Sequence, residues 1–228
     1  MNTHDFSFAG QSLQARASGA LFWPAQGLLC VSDLHLGKSA RQARLNGVQL
    51  PPYDVEDTLA RLDAEIATTG ARHVLCLGDS FDDLAAFDDL PQTAIDWITR
   101  LQAGRTWTWI EGNHDPGPVA LAGAHLARYT AAGLTFRHIA TPGEQAEISG
   151  HYHPKARLRG AARPCFLIDE TRVILPAFGT YTGGLRCDDP VLTDLMTSSA
   201  LAVLTGRQML VLPMRQKRSG RASSSAGR

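Results

Sequence analysis

Seven side chains able to bind a divalent cation, and one further histidine, fall in five short clusters along the chain. These are Asp33-x-His35, Gly78-Asp79, Gly112-Asn113-His114, His138 and Gly150-His151-x-His153. Oxygen and nitrogen donors without a thiolate suit Mn²⁺, iron or Zn²⁺ rather than a sulfur-bound structural site. Taken singly, each cluster has a plain structural meaning. Asp33 and His35 can be a solvated strand end, Asp79 a capping carboxylate, and Asn113 a loop residue tolerant of left-handed backbone. His138 can be an ordinary core or surface histidine. Their order argues against coincidence: each cluster follows a predicted strand, and together they supply ligands for two metals.

The elements that must position them can be read from hydrophobic periodicity. Residues 28–31 form an apolar run of buried-strand type. Alternate side chains of a strand share a face, so Asp33 and His35 are expected to project together from its C-terminal end. The same spacing applies to His151 and His153. Residues 74–77 and 106–110 are two further strands, ending in Gly78-Asp79 and in the segment 111–115. Three helices are predicted between these strands. Ser39 caps a short one carrying Arg41 and Arg44, which Pro51-Pro52 ends. Asp54 caps the second, with Val55, Leu59, Leu62 and Ile66 three and four apart. Pro91 opens the third, and Gly104 stops it.

Alternating helix and strand, with polar residues at strand C-termini, argues for an α/β fold with its site along one sheet edge. Residues 6–23 read as hairpin strands feeding the first core strand. Beyond residue 133, short strands at 134–139, 146–149, 165–169 and 172–175, with a closing hairpin at 200–212, predict a second and more antiparallel sheet. One domain over 1–213 is expected, followed by a Ser/Gly/Arg tail over 214–228 of disordered type.

The 228 residues hold 22 basic and 22 acidic side chains, so net charge gives no general sign of a nucleic-acid partner. Five of the basic residues lie in the last fourteen positions, leaving a body with 17 basic against 22 acidic residues. Four cysteines without ligand-type spacing read as reduced thiols of a cytoplasmic protein. No basic-then-apolar leader and no long apolar run is present, so neither secretion nor membrane spanning is expected.

The ordered clusters resemble the calcineurin-like metallophosphoesterases from about residue 28 to 155. That resemblance implies a four-layer αββα sandwich of two mixed β-sheets flanked by helices, and two divalent metal ions, Mn²⁺ foremost with iron or Zn²⁺ as alternatives. It assigns Asp33, His35 and His153 to one metal, Asn113, His138 and His151 to the other, and Asp79 as the bridge. His114 matches the family's histidine that stands beside the metals without binding them. Two such cations clamp a phosphate and acidify a bridging water, while the histidine protonates the departing oxygen or stabilises the charge developing on it. Asp82 matches a carboxylate that orients this histidine in some relatives, with Asp83 as the alternative.

A narrower resemblance rests on Leu34-His35-Leu36-Gly37-Lys38, Leu50-Pro51-Pro52-Tyr53, Gly78-Asp79-Ser80-Phe81, Gly150-His151-Tyr152-His153-Pro154, Arg163-Pro164-Cys165-Phe166 and the stretch 175–185. It is similar to the bacterial ligase-associated DNA damage response endonucleases (PdeM type) over about residues 12 to 190. This implies DNA as substrate and an ATP-dependent DNA ligase, a helicase and an exonuclease as functional partners. Two positions depart from the group: that of Asp82 is commonly histidine, and His138 is commonly followed by Glu-Pro where this chain has Ile139-Ala140. Lys38, Arg41 and Arg44 are candidate contacts to a nucleic-acid backbone, or the solvated face of a helix. The glycine-rich stretch 178–184 reads as a tight turn beside the site, the alternative being that it brings backbone N–H groups near a phosphate. Two other functions compete: a phosphodiesterase or phosphatase for a small metabolite or cyclic nucleotide, and a non-catalytic scaffold of the same fold. The sequence leaves the oligomeric state open.

Overall fold

The computed structural model describes residues 2–117, 120–158 and 160–214. Its first sheet runs in spatial order β1 (Thr3–Phe8), β2 (Gln11–Arg16), β3 (Leu21–Trp23), β4 (Leu28–Val31), β5 (His73–Leu77), β6 (Thr106–Ile110) and β7 (Ala124–Leu126). Pairing is antiparallel up to β4 and parallel from β4 to β7. Parallel neighbours need crossovers. Helices α1 (Lys38–Asn46) and α2 (Asp54–Thr69) make the first, and α3 (Leu84–Asp88) and α4 (Gln92–Gln102) the second.

The second sheet comprises β8 (Tyr129–Ala131), β9 (Leu134–Phe136), β10 (Glu147–Ser149), β12 (Ala161–Ile168), β13 (Arg172–Ile174), β14 (Leu201–Leu204) and β15 (Leu210–Pro213), with β11 (Lys155–Leu158) paired to β12 alone. Strand β10 is parallel to β9 and β13, and the remaining pairs are antiparallel. Helix α5 (Pro190–Leu195) lies between β13 and β14 in sequence.

Period-2 alternation divides the core into three layers of contact. Leu28, Cys30, Leu75 and Leu77 turn inward onto Phe136, Ile148, Phe166 and Val173 of the second sheet. Their neighbours Leu29, Val31, Val74 and Cys76 face outward beneath Leu59 and Ile66 of α2 and Ile98 and Leu101 of α4. On the far side, Cys165, Leu167 and Ile174 are covered by Leu192 of α5 and by Met196. The order is helix, sheet, sheet, helix, as expected, although a single short helix makes the last layer. All four cysteines are buried free thiols. Among the described residues, no helix is long and apolar enough to cross a membrane.

Three expectations change. Ser39 does not cap α1; that position belongs to Gly37, at φ 83°. Nor does Asp54 cap α2, whose N-cap, Tyr53, makes no side-chain bond. Instead, the buried Asp54 carboxylate accepts from both the N–H and the hydroxyl of Ser39. An acceptor read as closing its own helix thus satisfies the first turn of the preceding one and pins α1 to α2. Third, the packed body includes Met214, which is buried and donates its N–H to Ala200 O at 2.8 Å. The rest of the expected tail, 215–228, lies outside the described residues. Replacing Asp54 with Ala should destabilise the protein by about 1–2 kcal/mol in urea unfolding and speed amide exchange over residues 39–42. Unchanged exchange there would contradict this role.

Candidate metal centre

All five clusters meet at one edge, where the C-terminal ends of β4, β5 and β6 face the ends of β9 and β10. Asp33 and His35 come together, but not by strand alternation. Strand β4 stops at Val31, and both residues lie in the left-handed region, at φ 54° and 45°. Parallel pairing nevertheless continues past the strand end, through Asp33 N–H to Gly78 O (3.1 Å) and His35 N–H to Asp79 O (2.9 Å). Asp79 (48°), His151 (71°) and His153 (47°) share this backbone region. Each such residue costs roughly 1–2 kcal/mol, and clustering of this kind marks sites where geometry is imposed.

The glycines before the clusters are there for space. A Cβ on Gly112 would stand 2.2 Å from Asp79 Oδ1, and one on Gly150 would stand 1.7 Å from Ser32 Oγ. The close approach brings His114 N–H to Asp79 Oδ1 (2.9 Å) and His151 N–H to Asp33 Oδ2 (3.0 Å).

Three groups of donor atoms result, of which two draw on both sheets; the third is His35, Asp82 and His114. In the first, Asp33, His35 and His153 each present one atom within 4.8 Å of the others. Asp33 Oδ1 and His153 Nε2 stand 3.0 Å apart. Both, with His35 Nε2, are buried without a hydrogen-bond partner among the described residues. Buried polar atoms are seldom left so, and three of them converging is what a cation would satisfy. In the second group, Asp79, His138 and His151 converge in the same way. His138 Nε2 lies 3.3 Å from Asp79 Oδ2, 3.3 Å from His151 Nδ1 and 3.0 Å from Asn113 Oδ1. Asp79 Oδ2 also lies 3.9 Å from His35 Nε2, which puts this one oxygen between the first two groups. The residues fit a pair of divalent ions.

Outer contacts fix which nitrogen faces each site. Carbonyl oxygens only accept, so His138 carries its proton on Nδ1, toward Leu77 O (3.0 Å), and His114 on Nδ1, toward Asp82 O (2.7 Å). Asp82 therefore orients His114 through its backbone carbonyl, correcting the expectation of a carboxylate contact. The Asp82 carboxylate instead accepts from His35 Nδ1 (2.7 Å), Lys38 Nζ (3.0 Å) and Arg41 (3.2 Å). Asp83 caps α3 at Ala86 N–H and pairs with Arg41 and Arg44, and Arg44 also pairs with Asp89. The three cations proposed for a nucleic-acid backbone are thus each engaged by carboxylates. The stretch 178–184 does pack as a tight structural segment: Phe178 and Gly179 donate to Ser32 O and Asp33 O.

One residue that positions the site escapes sequence reasoning. The buried Asp115 carboxylate accepts from the N–H groups of Asp79, Ser80, Phe81 and Gly112, tying the β5 and β6 loops together. Burial and the nearby Asp79 charge outweigh those donors and push its carboxyl up to about 6. Its one sequence signal is position: a carboxylate three residues after a glycine, where it can reach back to the glycine N–H.

Burial alone would raise the Asp33 and Asp79 carboxyls. The facing imidazoles of His153 and His138 prevail and hold both below the usual range, Asp79 at about 2. Burial likewise opposes the His138 imidazolium, but the Asp79 and Asp33 carboxylates push it up to about 9. Below that pH the cation-free protein keeps a proton where a ligand lone pair is needed. Cation binding at pH 7.5 should therefore release about one proton and weaken as pH falls. Calorimetry in buffers of different protonation enthalpy checks this, and zero release would contradict it. Asp82→Ala, which frees the His35 ring, should weaken cation affinity about 10–100-fold. Unchanged affinity in the same titration would refute the orienting role.

A family model described as calcineurin-like phosphoesterase matches residues 28–188. Among solved structures, the nuclease MPE of Pseudomonas putida is 31% identical at a TM-score of 0.77, covering 92% of this chain and 100% of that one. Yfce, a phosphoesterase from E. coli, is 12% identical at a TM-score of 0.42, over 82% of this chain and 99% of that one, too distant to carry an argument. No curated protein matches the chain. The span matched by the family model contains all five clusters, and the chain belongs to the calcineurin-like phosphoesterases, enzymes that hydrolyse phosphoesters with divalent metal ions.

Proposed function

We propose that this protein is a dinuclear phosphodiesterase whose substrate is DNA, an endonuclease acting in ligase-associated DNA repair with Mn²⁺ as its metal. The observation that carries the hydrolytic reading is Asp79, whose carboxylate lies between two convergent donor groups while His114 stands beside them. Support for a nucleic-acid substrate comes from the likeness to the nuclease MPE and from the motif set described above. An ATP-dependent DNA ligase, a helicase and an exonuclease are the expected functional partners. The nitrogen and oxygen donors suit Mn²⁺, iron and Zn²⁺ alike, and Mn²⁺ is placed first on the family resemblance. Four buried thiols without a disulfide suit a cytoplasmic setting.

When bound, the two cations supply charge neutralisation at the phosphoryl oxygens and an acidified water as nucleophile. In the first group, Asp33, His35 and His153 would hold one ion; in the second, Asn113, His138 and His151 the other, with Asp79 common to both. His114 serves the leaving group. Asp82 O holds one proton on its Nδ1, so a second proton, carried on Nε2 of the imidazolium, is the one that would pass to the departing oxygen and leave the ring neutral. Its ring centroid lies 5.1 Å from that of His35, next to the first group.

His114→Ala should keep both metals yet lose about 10²–10⁴ of DNA cleavage. The loss should be smaller on a p-nitrophenyl phosphodiester, whose leaving group needs little protonation. Asp79→Ala should lose metal and activity together. Mn²⁺-dependent cleavage of labelled single-stranded, nicked and duplex DNA, beside a small diester and a phosphomonoester, tests the reading. Turnover of the small esters alone would move the assignment to a small phosphorylated substrate. Two bound metals with no turnover of any substrate would indicate a scaffold.

A further inference from the structure

With Lys38, Arg41 and Arg44 engaged by Asp82, Asp83 and Asp89, the phosphate-binding cations of a nuclease must be sought elsewhere. Strand β11 begins two residues after His153, at most about 7 Å of extended chain, and pairs with β12 alone. Ala156 is buried in the third contact layer, while Lys155 is half-buried and Arg157 exposed. The segment after Gly184 runs alongside, through Lys155 N–H to Leu185 O (2.8 Å) and Cys187 N–H to Lys155 O (3.0 Å).

Lys155, Arg157 and Arg186 border one open cavity of about 540 Å³, with Ala156, Leu158 and Leu212 as its apolar part. Arg186 is matched by Asp188, the single acid of that lining, in a two-bond pair. Lys155 Nζ donates to Thr182 O, and neither it nor the exposed Arg157 has a carboxylate partner among the described residues. A second opening, of about 330 Å³, is lined by His151, His153, Gly184 and Leu185. Leu185 and Arg186 are consecutive, so one segment borders both the metal centre and the cationic groove.

We propose that this groove binds the backbone phosphates and a base of a single nucleic-acid strand whose scissile phosphodiester lies at the metal centre. The inference rests on the nuclease reading and narrows it to a polymeric substrate, since these side chains line a different opening from that of His151 and His153. Cations neutralise phosphates, and the apolar part takes the face of a base.

The test measures binding of a fluorescent single-stranded oligonucleotide to the full chain across a salt series, beside cleavage of that oligonucleotide and of a small diester with Mn²⁺. Arg157→Glu, on an exposed side chain, should weaken oligonucleotide binding about tenfold. Lys155→Ala with Arg157→Ala should lower the salt slope by roughly 1.4, about 0.7 for each phosphate no longer neutralised. Small-diester turnover in both variants reports an intact metal centre. If the wild type cuts DNA and the variants bind and cut equally well, the groove assignment falls while the nuclease reading stands. If oligonucleotide binding depends on Arg157 but no DNA is cut, the groove stands and the nuclease reading falls. Absence of both overturns both. Equal binding of polyglutamate would overturn the proposal by giving the groove to acidic peptides.

Discussion

The architecture is governed by the cost of burying ionisable groups at one spot. Asp33, His35, Asp79, Asp82 and His138 are all essentially out of contact with solvent. Burying charge is expensive unless it is paired, and part of this set has partners from the protein alone. Asp82 meets His35, Lys38 and Arg41, and Asp79 meets His138 and the His114 N–H. The inner atoms, Asp33 Oδ1, His35 Nε2 and His153 Nε2, do not. They converge instead on one another, Asp33 Oδ1 and His153 Nε2 standing 3.0 Å apart, where a cation would satisfy all three. The left-handed backbone at five ligand positions and the glycines against Asp79 and Ser32 keep these groups from moving apart.

Much of this is legible in the sequence. Strand β6 has the bounds its β-branched and aromatic residues predict, and the order of the five clusters suffices to join them into one site. What is not legible has a common cause. Sequence identifies a polar residue but not which of its polar atoms is used, nor toward which neighbour. Asp54 has the position of a cap for its own helix and serves the one before. Asp82 holds His114 by its carbonyl rather than its carboxylate, which is left for His35. Lys38, Arg41 and Arg44 read as free cations because their acidic partners arrive from some forty residues away. Local pattern cannot convey such pairings.

Asp33 and His35 show how a correct conclusion can rest on a different geometry. The i, i+2 spacing suggests strand alternation, and the two residues do meet at one site. They do so after the strand has ended, through two left-handed residues held by parallel hydrogen bonds to the β5 loop. The loops beyond a parallel strand can take backbone conformations that a strand cannot. Sites collect there for that reason, and glycine is needed where two such loops come into contact.

The first two donor groups draw on both sheets. Asp33, His35, Asp79 and Asn113 follow strands of the first, and His138, His151 and His153 follow strands of the second. During synthesis on the ribosome, the first sheet's parallel strands are complete by about residue 126, while the last ligand waits for residue 153 and for the second sheet to close over the first. A partly made chain therefore holds an incomplete set of ligands. The candidate site is complete only once the two sheets have docked.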